Sequence, residues 1–270
     1  MKFVEDLGFF HFNTSEPGEF SKHCESAFAL WEEQWVSTFA KSKLEIEIFS
    51  DEFLNRELGG LFFGTKAVGF MLYSFFDFSK YSSQKARYFK NYPREVWASH
   101  HQKKDLVFSP THMTLHPDWR KSNTNLPISE LLFGFSLLRF LDSSADRLIG
   151  YARNDLKMNE VLYRHGGYPL ATNLQAYNTP VDFIEISRAS AHLSDDDACA
   201  EMNLMFWNKT KSRSNHHLQT VLHKRKGKNH VVTLYQPGTP KNDPSGKRSS
   251  MGKQSLLSGL ARPNLPLHSL

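Results

Sequence analysis

Leu115–Asn125 reads LHPDWRKSNTN and leads, through Leu126, into PISELLFGFSLLRFL at Pro127–Leu141. Upstream, Asp105–Leu115 is rich in Val, Phe and Thr and reads as a strand. Downstream, Pro127–Leu141 reads as a helix with proline in its first turn, where a missing N–H is no loss. A strand that ends in a polar loop and opens a helix brings unpaired backbone N–H groups together at the positive end of the helix dipole. That is a site for an anion such as a pyrophosphate. Arg120 and Lys121 add positive charge at its entrance.

Outward from this segment the periodicity alternates between strand and helix. Toward the C-terminus, Asp146–Ala152 reads as a strand and Lys157–His165 as a short helix ended by Gly166 and Gly167. Val181–Ile186 is a last strand, and Ser194–Trp207 is a helix opened by Ser194 with an acidic first turn. Toward the N-terminus, Leu58–Phe78 reads as an antiparallel hairpin, with Leu61–Phe63 and Ala67–Phe76 joined by Gly64-Thr65-Lys66. Ser82–Ser99 is helical but broken near Pro93, and Pro110 marks a bulge or a strand entry. In Glu19–Lys41 the residues Phe20, Cys24, Phe28, Trp31, Trp35 and Phe39 fall on one helical face, a stripe read as core packing. Leu44–Phe49 (LEIEIF) alternates strictly, as a half-buried strand does. With no internal repeat, this order predicts a mixed α/β sheet in one domain.

The 270 residues are 40% hydrophobic and 13% aromatic, enough to bury a sizeable core, which excludes a wholly disordered chain. Cys24 and Cys199 are too few for a disulfide framework, so a reduced, cytoplasmic compartment is expected. Glu5 and Asp6 interrupt the start, so no signal peptide is read there. The two most apolar regions carry Lys66, Asp77, Glu130 and Arg139, so no membrane span is expected. Residues 208–270 hold 12 Lys and Arg against one acid, Asp243, a balance of +11 that leaves −6 for residues 1–207. Poor in aromatics and rich in Ser, Gly, Pro and Asn, this tail cannot offset its ordering entropy by burial. The division expected is therefore a folded domain at 1–207 and a basic, disordered tail at 208–270. Within the tail, His223–Lys228 (HKRKGK) offers a weak contact for an anionic partner, and His230–Tyr235 (HVVTLY) could form a strand. A solvated extension is the plainer reading.

At Asp105–Tyr168 the sequence resembles the GCN5-related N-acetyltransferase (GNAT) superfamily. In that family a hydrophobic-x-Pro-x-x-Arg strand end precedes an Arg/Gln-x-x-Gly-x-Gly/Ala loop and a helix. Leu115-His116-Pro117-Asp118-Trp119-Arg120 fits the first part, while Asn123 and Asn125 stand where the two glycines would be. Asn tolerates left-handed backbone angles better than most residues, but its side chain takes up room. The second matching segment is Asn154–Tyr168 (NDLKMNEVLYRHGGY), where an Asn after a strand is followed by a short helix bearing a Tyr and a Gly-aromatic turn. The likeness covers roughly residues 40–190.

The resemblance implies a GNAT-like fold with acyl-CoA as co-substrate, transferring its acyl group to an amine on a small molecule or peptide. Contacts to CoA would come from Leu115, Arg120, Lys121, Ser122, Asn123, Thr124, Asn125 and Asn154. The Leu115 N–H would stabilise the developing oxyanion, and Tyr163 would protonate the departing thiolate. His112, three residues before Leu115, is the candidate base, since its intrinsic pKa suits neutral-pH work. No metal is expected: on a strand His112 and His116 stand about 13 Å apart, too far to share an ion. An acyl-carrier protein is a possible alternative donor. Two other functions stay open: a non-catalytic binding protein of the same fold, and a nucleic-acid- or ribosome-associated protein acting through the tail. The phenylalanines of 62–78 and 133–140 could line an acyl tunnel or pack the core.

Overall fold

The computed structural model of the chain describes residues 6–41, 43, 50–89, 92–120, 126–176 and 178–211. The expected strand at 44–49, the loop at 121–125, the strand at 230–235 and the basic stretch from 212 onward lie outside these residues. The described residues fall within one compact unit, Met1–Asn229.

The elements follow in the order β1 (Leu7–Asn13), α1 (Ser21–Lys41), β2 (Glu57–Phe63), β3 (Lys66–Asp77), α2 (Tyr81–Gln84), α3 (Arg94–Lys103), β4 (Leu106–Leu115), α4 (Ile128–Asp142), β5 (Arg147–Arg153), α5 (Met158–Arg164), β6 (Tyr168–Ala176), β7 (Thr179–Ser187) and α6 (Asp197–Lys211). Seven strands form one sheet in the order β1-β2-β3-β4-β5-β7-β6. The expected mixed α/β sheet is present. Every neighbouring pair is antiparallel except β4 and β5, which run parallel and pair only at Val107·Arg147 and Phe108·Leu148.

The shortness of that parallel pair has a cause in the sequence. Along β4, backbone groups face β3 and β5 alternately. Leu106 faces β5, its C=O accepting from Asp146 N–H at 2.7 Å, and Phe108 follows two residues on. Pro110 is the next to face that side and has no N–H to give, so the ladder stops. Proline thus marks the end of strand pairing with β5, while on the other side it stays in register opposite Tyr73. The bulge expected at Pro110 lies slightly later. Between Leu72·Thr111 and Phe70·Thr114, the single residue Met71 faces both His112 and Met113.

The two faces of the sheet are covered differently. On one, α1 packs Cys24, Ala27, Leu30 and Trp31 against Phe12, Phe62, Phe70 and Leu72, so the first half of its stripe is core as expected. On the other lies α4, buried on nearly every side and covered in turn by α6. Gly134 permits that close contact, because a Cβ there would meet the Asn203 amide, which donates to Leu131 C=O at 2.8 Å. Phe133, Phe135 and Phe140 are core residues, Phe135 stacking on Phe9 at 3.9 Å between centroids.

Several boundaries differ from expectation. β1 and β6 were not foreseen: β1 has only a partial alternation of buried residues, and β6 (YPLATNLQA) buries no residue fully and does not alternate. Pro127 is the N-cap of α4 and not its first helical residue. Asp196, not Ser194, caps α6, accepting from Ala198 N–H at 3.0 Å. That helix runs past Trp207 to Lys211, so the first residues of the expected tail are helical. No helix among the described residues is long and apolar enough to cross a membrane.

Candidate active site

Past Phe108 and Leu148 the strands β4 and β5 separate, leaving a gap through the sheet. On the α1 face it opens into a cleft of about 540 Å³ walled by Trp35 and Phe39 of α1, Tyr88, Tyr151 of β5 and Val181 of β7. His112 forms part of its wall. Its φ of +51° is left-handed, a conformation uncommon in a residue with a Cβ, and the bulge turns its side chain toward α1. There its ring meets the edges of Trp31 and Trp35, at 5.9 and 4.9 Å between centroids. The bulge is braced from two sides: Thr114 Oγ1 donates to His112 C=O at 2.9 Å and accepts from Trp35 Nε1 at 3.3 Å.

Both ring nitrogens of His112 face acceptors. Thr111 Oγ1 lies 3.2 Å from Nδ1 and itself donates to Leu72 C=O at 3.3 Å, which leaves a lone pair toward the ring. Glu52 Oε2 lies 3.5 Å from Nε2. A neutral imidazole has one proton for these two acceptors, and a second proton would serve both. Burial pulls the His112 pKa below its usual value, with Glu52 opposing the shift. Glu52 in turn is held below the usual carboxylate range, first by its hydrogen bond with His112. Arg56 closes the floor, donating to Ser74 Oγ at 2.8 Å and Thr111 Oγ1 at 3.4 Å.

The backbone of β4 supplies a donor on the gap side. His116 N–H donates to Val68 C=O at 2.9 Å, so Gly69 and Leu115 form a pair whose own N–H groups point away from each other. The Leu115 N–H is therefore directed to the side from which β5 has withdrawn.

On the opposite face, α5 brings Tyr163 over the end of β7. Tyr163 Oη donates to Asp182 Oδ2 at 2.6 Å, and Asp182 also accepts from Asn154 Nδ2 (2.9 Å), Asn159 Nδ2 (3.0 Å) and Asn173 N–H (2.9 Å). Burial pushes the Asp182 carboxyl up, but these four donors hold it at about 2. Burial first, and then the Asp182 carboxylate, push the Tyr163 phenol up to about 12. Asn154 Oδ1 is buried and has no hydrogen-bond partner among the described residues. α5 closes on Gly166, whose φ is +88° and where a Cβ would collide with Ser190 C=O.

The sequence-predicted residues thus fall into separate groups. Asn154 and Tyr163 meet through Asp182; His112 stands on the other face, with Leu115 at the gap between. Arg120 turns away toward α1, donating to Gln34 Oε1 at 2.9 Å. Lys121, Ser122, Asn123, Thr124 and Asn125 lie outside the described residues. Sequence reading missed Glu52, Arg56, Trp35 and Asp182. None carries a local motif, and Trp35 sat in a stripe read as core.

No protein-family model matches the sequence, and no curated protein matches it. Among solved structures, the chain is similar to the CoA-dependent acyl-homoserine lactone synthase BjaI with SAM and isopentyl-CoA: 14% identity, 73% of this chain and 99% of that one, TM-score 0.49. It is also similar to FeeM, an N-acyl amino acid synthase from uncultured soil microbes: 13% identity, 68% and 96% covered, TM-score 0.46. An acyl-CoA N-acyltransferase from Pseudomonas aeruginosa shows 9% identity, with 67% and 99% covered and a TM-score of 0.43. The mixed seven-stranded sheet agrees with the fold class that the sequence resemblance implies.

Proposed function

We propose that the protein transfers an acyl group from acyl-CoA to an amine by direct attack on the thioester. The observation that carries this is the gap between β4 and β5, with a backbone donor turned into it and a base and an acid on its two sides. The thioester enters from the α5 face and the amine from the α1 face, so the two substrates meet without crossing.

His112 takes the proton that the amine gives up, its second nitrogen position stabilised by Glu52. The amine nitrogen bonds to the carbonyl carbon while the carbonyl oxygen gains charge against Leu115 N–H. The C–S bond then breaks with its electron pair on sulfur. Asn154 Oδ1, buried and without a partner among the described residues, suits an amide N–H of the pantetheine arm. Lys121, Ser122, Asn123, Thr124 and Asn125 are the proposed diphosphate contacts, joined by Arg120 once it leaves Gln34. Tyr163 is the proposed proton donor to the thiolate. With a pKa near 12 it stays protonated at neutral pH, but full transfer to a thiolate of ordinary pKa near 8.5 is uphill. Its first contribution is then a hydrogen bond to sulfur, made by turning away from Asp182. An acyl-carrier protein presents the same thioester arm and is the alternative donor.

The test is thermal stabilisation of the full chain by CoA and by acyl-CoA thioesters of increasing length, with thiol release on adding amines. A rise in melting temperature and amine-dependent release are expected, with His112→Ala slowing release by about 100-fold. No stabilisation by any thioester would overturn the reading; stabilisation with undiminished turnover in His112→Ala and Tyr163→Phe would overturn the residue roles alone.

A further inference from the structure

Besides His112, the cleft on the α1 face carries charges of both signs. Asp51 and Glu52 stand on one segment of its rim, and Arg56, Arg87 and Arg153 on others. Two of the three arginines are committed. Arg153 grips Asp155 through two bonds of 3.0 and 2.6 Å, and Arg56 is spent on Ser74 and Thr111. Arg87 is exposed, opens the short 3-10 turn Arg87–Phe89, and makes no hydrogen bond or ion pair with a described residue. Its charge is felt at Glu52 across the cleft.

A second observation points the same way. Arg87 also lines a neighbouring hollow of about 480 Å³, where Lys85 and Arg94 join it and no acidic side chain is among the described lining residues. Positive potential therefore accumulates where the two hollows meet, while the Glu52 carboxylate stands beside His112. An ammonium approaching His112 is drawn by Glu52, and a negative group on the same molecule is drawn by Arg87. The planar guanidinium fork fits a carboxylate through two parallel N–H bonds.

We propose that the amine acceptor carries a carboxylate, as an amino acid does, and that Arg87 holds it while the amine faces His112. This rests on the acyl-transfer reading above and adds the acceptor's chemical class. Trp35, Phe39, Tyr88 and Tyr151 leave an apolar wall for the rest of the molecule. Arg87 acts as a binding residue and takes no part in the proton transfers.

The experiment follows acyl-CoA-dependent thiol release with matched sets of amines: leucine, leucinamide and 3-methylbutylamine, and the corresponding sets for other amino acids. In at least one set the acid exceeds its amide and its decarboxylated amine in kcat/KM by about tenfold or more, mainly through KM. Arg87→Gln narrows that preference to about twofold, and Arg87→Lys retains part of it. Amides or decarboxylated amines that match the acid in every set overturn the proposal, as does Arg87→Gln slowing acid and amide alike. So does stabilisation by CoA without turnover of any amine. In each case thioester binding, measured separately, still stands. Absence of both stabilisation and turnover removes the acyl-transfer reading as well.

Discussion

Replacing Glu57 by Gln tests the buried charge cluster that ties α4 to the β1–β2 edge of the sheet. Glu57 accepts from Arg139 Nε at 2.8 Å and Nη2 at 2.9 Å, and His11 Nε2 lies 3.0 Å from its Oε2. The Arg139 side chain is only 6% exposed. Burial pushes the Glu57 carboxyl up, but His11 and Arg139 outweigh it and bring the pKa from 4.5 to about 2. At about 1.4 kcal/mol per unit, the native carboxylate is favoured by about 3 kcal/mol over its unfolded counterpart. Because the folded pKa is depressed, this stabilisation is complete above pH 4.5 and disappears as pH falls through about 2.

Glu57→Gln keeps the shape but leaves Arg139 buried without its counter-charge, a loss of about 3–5 kcal/mol at pH 7. Urea unfolding followed by far-UV circular dichroism at pH 7, 5 and 3 measures it. The gap between wild type and variant narrows from pH 5 to pH 3. The double variant Glu57→Met, Arg139→Met regains much of the loss, since a well-packed apolar pair needs no counter-charge. A Glu57→Gln loss under about 1 kcal/mol, or one that is equal at pH 7 and pH 3, refutes the assigned role of the pair.

Two further outcomes concern the gap itself. Pro110→Val restores the N–H that the β4–β5 ladder lacks; stability changes by less than about 1 kcal/mol, because one hydrogen bond gained offsets a looser unfolded chain, while stabilisation by CoA falls, and an unchanged CoA shift refutes proline as the device that holds the strands apart. Asp182→Asn removes the negative charge beside the Tyr163 hydroxyl, so a tyrosine absorbance titration referenced to Tyr163→Phe shows that phenol titrating below its present value near 12; stability drops by about 1–2 kcal/mol from the lost charge-assisted bonds, and an unshifted titration refutes the assignment of Asp182 as a cause.

Local chemistry made most of the fold legible. Two apolar runs joined by Gly64-Thr65-Lys66 revealed the β2–β3 hairpin, and the strand–loop–helix change of period at Leu115–Pro127 located the passage from β4 to α4. What stayed hidden depends on partners distant in sequence. β6 lies at the sheet edge and buries no residue fully, so its strand character comes from pairing with β7. The start of α6 is set by which side chain reaches a backbone N–H, here Asp196, a matter of one or two residues that propensity does not resolve. At the site, the sequence singled out His112 as a candidate from its type and its distance to Leu115, and the structure places it in the cleft wall. Its left-handed backbone was not legible, since histidine is no marker for a bulge. Glu52 reaches His112 from sixty residues earlier in the chain and Asp182 reaches Tyr163 from a later strand, contacts with no local signature.

A single strand accounts for much of the arrangement. In six residues of β4, Pro110 ends pairing with β5, the bulge at His112 turns an imidazole to the α1 face, and Leu115 directs an amide into the space so opened. Each device would be a defect in a purely structural strand: a lost ladder bond, a strained φ and a donor without a neighbouring strand. The rest of the fold bears the cost, through Thr114 and Trp35 bracing the bulge and through the covered core of α4. β7 contributes from the far side, because inserting it between β5 and β6 places Asp182 within reach of both Asn154 at the end of β5 and Tyr163 on α5. A parallel pair parted early, with an imidazole on one face and a phenol on the other, is the geometry on which the proposed acyl transfer rests.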